Sequence, residues 1–167
     1  MDDASLHDLA ARAGQALASR GLRLTTAESC TGGGIGAAIT MVAGSSGWYE
    51  RGYVTYSNDA KRTELGVSAD TLARHGAVSE PVVLEMVEGA LARSGAQVAV
   101  AVSGVAGPGG GTPAKPVGMV CLAWGRSDGV REVRTFRFPG DRAEVRGRSV
   151  VAALEGIIDI AGRPFTA

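Results

Sequence analysis

The sequence predicts an α/β fold: a single three-layer domain with a mixed, mostly parallel sheet flanked by helices. Three observations carry this. Helical and β-branched segments alternate through the first two thirds of the chain. The stretch QVAVAVSG (97–104) is apolar almost throughout, as a strand covered on both faces is. Two later strand segments flank an SDG turn and read as a hairpin that closes the sheet.

Leu6, Leu9, Ala10, Ala13, Ala16 and Leu17 recur at helical spacing, and Gly21 follows as a C-cap. LRLTTAES (22–29) reads as a β-branched strand. Glycines 32–34 then open a helical stretch, IGAAITMVA, that stops at Gly44. After the polar loop GSSG (44–47), GYVTYS (52–57) alternates as a strand, and Ser57 or Asn58 caps a helix carrying Lys61 and Leu65. A short helix over 69–75 ends at Gly76. Ser79 as N-cap and Pro81 in the first turn start a long amphipathic helix through 94. The strand 97–104, the loop VAGPGGGTPAKP, the strands 117–125 and 131–138, and a helix from about 141 to 160 complete the chain.

With 167 residues the chain fits one domain, 1–167, and a core of that size needs no disulfide or metal. Seventeen basic and seventeen acidic residues cancel, which argues against nucleic acid or an anionic membrane surface as partner. Cys30 and Cys121 stand far apart and form no CxxC pair, so neither a zinc site nor a disulfide framework is expected. The start, MDDASLHDLA, lacks the pattern of a signal peptide, and no apolar run reaches membrane-spanning length. A cytoplasmic location is the expectation.

The stretch ESCTGGGIG (28–36) poses the functional question. Gly32, Gly34 and Ala37 fit G-x-G-x-x-[GA] between a strand and a helix, the setting of a dinucleotide fingerprint. Against it, no acidic residue ends a second strand about 20 residues on. Tyr56 and Lys61 are also one residue too far apart for the Y-x-x-x-K of short-chain dehydrogenases. The helix N-terminus after Thr31 can still receive an anion.

A thiol hydrolase at Cys30 would need a histidine base, and only His7 and His75 exist, one in the first helix and one beside Gly76. Cys30 therefore reads as a small buried residue. A lysine serves as base when burial or a helix N-terminus lowers its pKa, which singles out Lys61, with Ser45, Ser46, Ser29 and Tyr56 as its possible partners. Residue spacing does not choose between Ser46 and Ser29. The loop SGVAGPGGGTPAKPVG offers backbone N–H groups for an anion, and FPGDR puts Arg142 at a helix start, where a guanidinium can grip phosphate.

Five stretches in order (TAESCTGG, AGSSGWYERGYVTYSNDAK, HGAVSEPVV, SGVAGPGGG with KPVG, and FPGDR) resemble the CinA C-terminal domain family in its stand-alone form, without the amino-terminal domain of longer members. The resemblance implies hydrolysis of the carboxamide of nicotinamide mononucleotide (NMN) to nicotinate mononucleotide and ammonia. It implies a serine amidohydrolase with a Ser/Lys dyad, no metal and no cofactor, working as a homodimer or higher homo-oligomer. Carried onto this chain, Ser46 is the nucleophile and Lys61 the general base, with Tyr56 orienting or relaying protons and Ser29 in support. Substrate contacts are then expected from Thr31, Gly32, Gly33, Ser45, Ser103, Gly104, Gly107 and Arg142, with Arg142 the first choice for the phosphate. The loop 44–47 is expected to supply the oxyanion hole. Family members usually carry threonine where this chain has Ser103, which keeps the hydroxyl. Two other functions fit the same residues: a nucleotide-binding sensor without turnover, and an amidase for another amide.

Overall fold

The computed structural model describes residues 1–165 of the chain. Among them one five-stranded sheet, in the order β2-β1-β3-β4-β5, is flanked by six α-helices, so the expected α/β class is observed. The strands are β1 (Leu24–Glu28), β2 (Tyr49–Val54), β3 (Val98–Gly104), β4 (Met119–Arg126) and β5 (Arg131–Arg137). The helices are α1 (Asp3–Ala18), α2 (Gly34–Thr40), α3 (Asn58–Leu65), α4 (Ala69–His75), α5 (Glu80–Ser94) and α6 (Arg142–Gly162). β1 pairs in parallel with both β2 and β3, whereas β4 and β5 add antiparallel.

The alternation within β3 decides how the layers sit. Val98, Val100 and Val102 face α1, α2 and α6, while Ala99 and Ala101 face the side of α5. Val82, Val83, Met86 and Val87 of α5 fill that second core over small alanines, so the helix lies close to the sheet. At the far end of β4 the fully buried Arg126 donates to the carbonyls of Ile160, Arg163 and Pro164 at 2.9, 2.7 and 3.0 Å, which ties the end of α6 to the sheet. No helix among the described residues is long and apolar enough to cross a membrane.

Two elements differ from the sequence expectation by more than a residue or two at an end. β2 runs over Tyr49–Val54, not 52–57, because the backbone leaves the sheet early to let Ser57 accept from Ala60 N–H (3.0 Å) as the cap of α3. The helical stretch expected over IGAAITMVA ends as α2 at Thr40, and Ser45–Gly47 forms a single 3-10 turn.

Candidate active site

β1, β2 and β3 are parallel, and the residues at their carboxyl ends meet at one junction, the end at which open α/β sheets bind ligands. Ser29 follows β1 directly and its N–H donates to Val102 O of β3 (3.0 Å). The register places Ser103 beside it on the same side of the sheet as α5. Thr55 N–H donates to Glu28 O (2.9 Å), which carries the chain from β2 past the same point.

Lys61, on the second turn of α3, reaches this junction. Its Nζ lies 3.0 Å from Ser29 Oγ, 3.1 Å from Thr55 O and 3.2 Å from Tyr56 O. The side chain is 1% exposed. Among the described residues no carboxylate forms an ion pair with it. Burial pushes Lys61 below its ordinary value of 10.5. Lys61 Nζ donates to Ser29 Oγ, and the Ser29 hydroxyl donates in turn to Tyr56 O (3.4 Å). A neutral amine with its two N–H groups on the two carbonyls has its lone pair within reach of the same hydroxyl.

The placement of α3 depends on α5. A Cβ at Gly89 of α5 would lie 1.8 Å from Leu65 O, so the last turn of α3 rests on a helix surface with no side chain. Leu65 fills the adjoining core.

Beside this junction Tyr56 is 60% exposed. Arg142, the first residue of α6, donates to Tyr56 Oη (3.1 Å) and to Gly107 O (2.9 Å). It thus ties the segment after β2 to the loop after β3. The peptide bond Gly107–Pro108 is cis. Asp141 caps α6 reciprocally with Glu144, which fixes where Arg142 leaves the helix. A cavity of about 580 Å³ opens beside it, lined by Ala106, Pro108, Val117 and Gly140. A larger groove of about 840 Å³ runs along α6 past Phe136 and Phe138, and contains neither Ser29 nor Lys61.

Ser46 and Ser45 are elsewhere. They occupy the 3-10 turn before β2, where Leu24 N–H, at the start of β1, donates to Trp48 O (2.8 Å). The five residues of β1 separate that turn from Ser29, about 16 Å at the usual rise per residue. Ser46 O accepts from Arg23 (3.4 Å) at this opposite end. The N–H groups of Ser45, Gly47 and Trp48 are used within the turn itself, on Val42 O, Gly44 O and Ser45 O. The structure thus does not bring Ser46, Ser45 or the 44–47 amides to Lys61; the serine it brings there is Ser29. Spacing hid this, because Ser46 is nearer to Lys61 in sequence while Ser29 is nearer through strand pairing.

The glycine turn also has an occupant. Glu28, 1% exposed, accepts from Thr31 Oγ1 (2.5 Å), Ile35 N (2.9 Å) and Gly36 N (3.0 Å). The chain's own carboxylate sits on the first turn of α2, where an anion was expected to bind. Thr31 spends its hydroxyl on Glu28 and is 1% exposed, so its side chain is turned inward. Gly32 and Gly33, with φ of 58° and 100°, make the left-handed turn that lets this happen. Arg146 of α6 donates to Cys30 O and Thr31 O, both at 3.2 Å. The signal for Glu28 was present in the sequence, as an acidic residue ending a strand just before a helix start. Arg146 comes from 115 residues further along the chain, and no local pattern pointed to it.

The Cys30 thiol is buried and pushed up to about 11 by desolvation, so it is protonated at neutral pH. Among the described residues no three His, Cys, Asp or Glu side chains converge as a metal site would require.

The family model described as the CinA C-terminal domain matches residues 6–161. The nicotinamide-nucleotide amidohydrolase PncC of Pseudomonas putida is 58% identical over 153 residues, 91% of this chain and 94% of that protein. The protein of the same name from Escherichia coli K12 is 52% identical over 155 residues, 93% and 94% of the two chains. Among solved structures, a competence/damage inducible protein from Agrobacterium tumefaciens matches with a TM-score of 0.92 at 47% identity, covering 96% of each chain.

Proposed function

We propose that this chain, which belongs to the CinA C-terminal domain family, hydrolyses the carboxamide of NMN to nicotinate mononucleotide and ammonia. The observation that carries the chemistry is the 3.0 Å contact between Lys61 Nζ and Ser29 Oγ, buried and with no carboxylate paired to the lysine among the described residues. The names of the two bacterial relatives, both similar along more than nine tenths of this chain, support the substrate.

An amide is a weak electrophile with a poor leaving group, so it requires an activated nucleophile, a stabilised oxyanion and a proton for the departing nitrogen. Neutral Lys61 takes the Ser29 proton as Oγ attacks the carboxamide carbon. The C–N bond breaks as the Lys61 ammonium returns that proton to nitrogen, and ammonia leaves an ester on Ser29. Lys61 then takes a proton from water as the water oxygen attacks the ester carbon, and returns it to Ser29 Oγ as the C–O bond breaks, which frees the acid and restores the serine. Arg142 is the group best placed for the phosphate, beside Tyr56 and an open cavity. Tyr56 shares a hydrogen bond with Arg142 and lines the entrance, while Ser103, Gly104 and Gly107 form the wall contributed by β3 and its loop. The reading includes a metal-independent, cytoplasmic homo-oligomer in pyridine nucleotide salvage.

The test is ammonia release by the purified, chelator-treated protein from NMN, from nicotinamide and from a peptide amide. Turnover on NMN alone supports the proposal. Turnover on another amide assigns a different amidase, and binding of NMN without turnover assigns a sensor.

A further inference from the structure

We propose that Glu28 and Arg146 are positioning residues that hold the turn after Ser29 between opposite charges and aim its Thr31 N–H at the oxyanion. The proposal rests on the reading of Ser29 as nucleophile. The buried carboxylate of Glu28, one residue before Ser29, collects donors from the turn and the start of α2: Thr31 Oγ1, Ile35 N and Gly36 N. The guanidinium of Arg146, from α6, collects acceptors: Cys30 O and Thr31 O. Ser29 O accepts from Gly32 N (3.0 Å) and Thr31 O also from Gly34 N (2.9 Å), which closes the turn between the two.

A trans peptide is planar, so its C=O and N–H point in opposite directions. Fixing Cys30 O on Arg146 therefore directs Thr31 N–H away from α6. In the proposed arrangement that N–H faces the carbonyl attacked by Ser29. Among the described residues Thr31 N–H donates to no protein acceptor. A preorganised backbone donor beside the nucleophile supplies transition-state stabilisation without reorganisation. Glu28 and Arg146 touch no reacting atom in this scheme; they act through the turn.

The experiment compares wild type, Glu28→Gln, Arg146→Met and Arg146→Lys in ammonia release from NMN, with melting temperature and the pH profile of kcat/KM. Arg146 is exposed enough for its variants to fold if Glu28→Gln does not. The expected result for Arg146→Met is a kcat lower by about 10²-fold, the scale of one lost oxyanion donor. KM should stay within about threefold and the pH midpoint should not move, because Lys61 is untouched; Arg146→Lys should recover part of the loss. Folded Arg146→Met with wild-type kcat overturns the proposal. So does a shifted pH midpoint, or an activity deficit that disappears when the assay is run well below the melting temperature. A wild type inactive on NMN instead refutes the assigned reaction, which separates the two failures.

Discussion

Lys61 Nζ and Ser29 Oγ stand 3.0 Å apart although 32 residues separate them in sequence. The contact exists because β1 and β2 are parallel neighbours and α3 starts just past the end of β2. Among the described residues no carboxylate pairs with the lysine, which is held by two carbonyls and a hydroxyl. Burial of the amine sets its proton affinity low.

The pH dependence follows from that sign. Lys61 must be neutral to accept the Ser29 proton, so kcat/KM rises with pH through the folded-state value of Lys61, which burial places below 10.5. Between that value and 10.5 the unfolded chain binds more protons at this position than the folded one, so the contribution of Lys61 to stability also rises with pH. A pH–rate profile and melting curves on wild type and Lys61→Met check both. The variant loses turnover and its share of the stability slope.

Arg142→Ala is expected to raise KM for NMN by about 10- to 100-fold, the equivalent of one charge-assisted hydrogen bond to phosphate. Nicotinamide riboside, which lacks the phosphate, serves as control. Its kcat/KM should fall much less, since what it loses is only the Tyr56 and Gly107 ties.

Gly89→Ala places a methyl where Leu65 O stands, at 1.8 Å. The clash outweighs the gain in helix propensity of about 1 kcal/mol, and a net loss of about 1–3 kcal/mol is expected for an overpacked contact. Because α3 must shift, turnover should fall as well. Denaturant unfolding and an assay of the folded fraction measure the two effects.

Thiol alkylation at neutral pH should leave activity intact. Cys30 and Cys121 are both buried, with desolvation raising both thiols, so neither presents a thiolate. Mass spectrometry of the native protein after iodoacetamide checks this, and rapid loss of activity with labelling at Cys30 would contradict it.

The fold class was legible because its signals are local or periodic. The unbroken apolar run of β3, the Ser79 and Pro81 start of α5 and the SDG hairpin turn each report their own neighbourhood. Lys61 was legible for a similar reason, as a lysine just inside a capped helix. Its partner was not. Ser46 lies 15 residues before Lys61 and Ser29 lies 32 before it, yet the length of β1 sends the first to the wrong end of the sheet. Which end of the sheet each serine reaches, a matter of strand pairing between distant segments, decides between them. The same holds for Arg146, whose partners Cys30 and Thr31 belong to a different layer of the sequence. The glycine turn was recognised as special, but its purpose differs from anion binding by the helix end. It lets Glu28 fold back onto the start of α2.

The central claim is that Ser29, not Ser46, is the nucleophile. The measurement that tests it most directly is ammonia release from NMN by Ser29→Ala and Ser46→Ala, with NMN binding followed by calorimetry. The account predicts that Ser29→Ala loses turnover by about 10⁴-fold or more while still binding NMN, and that Ser46→Ala stays within a few-fold of wild type. An inactive Ser46→Ala that binds NMN beside an active Ser29→Ala would contradict it.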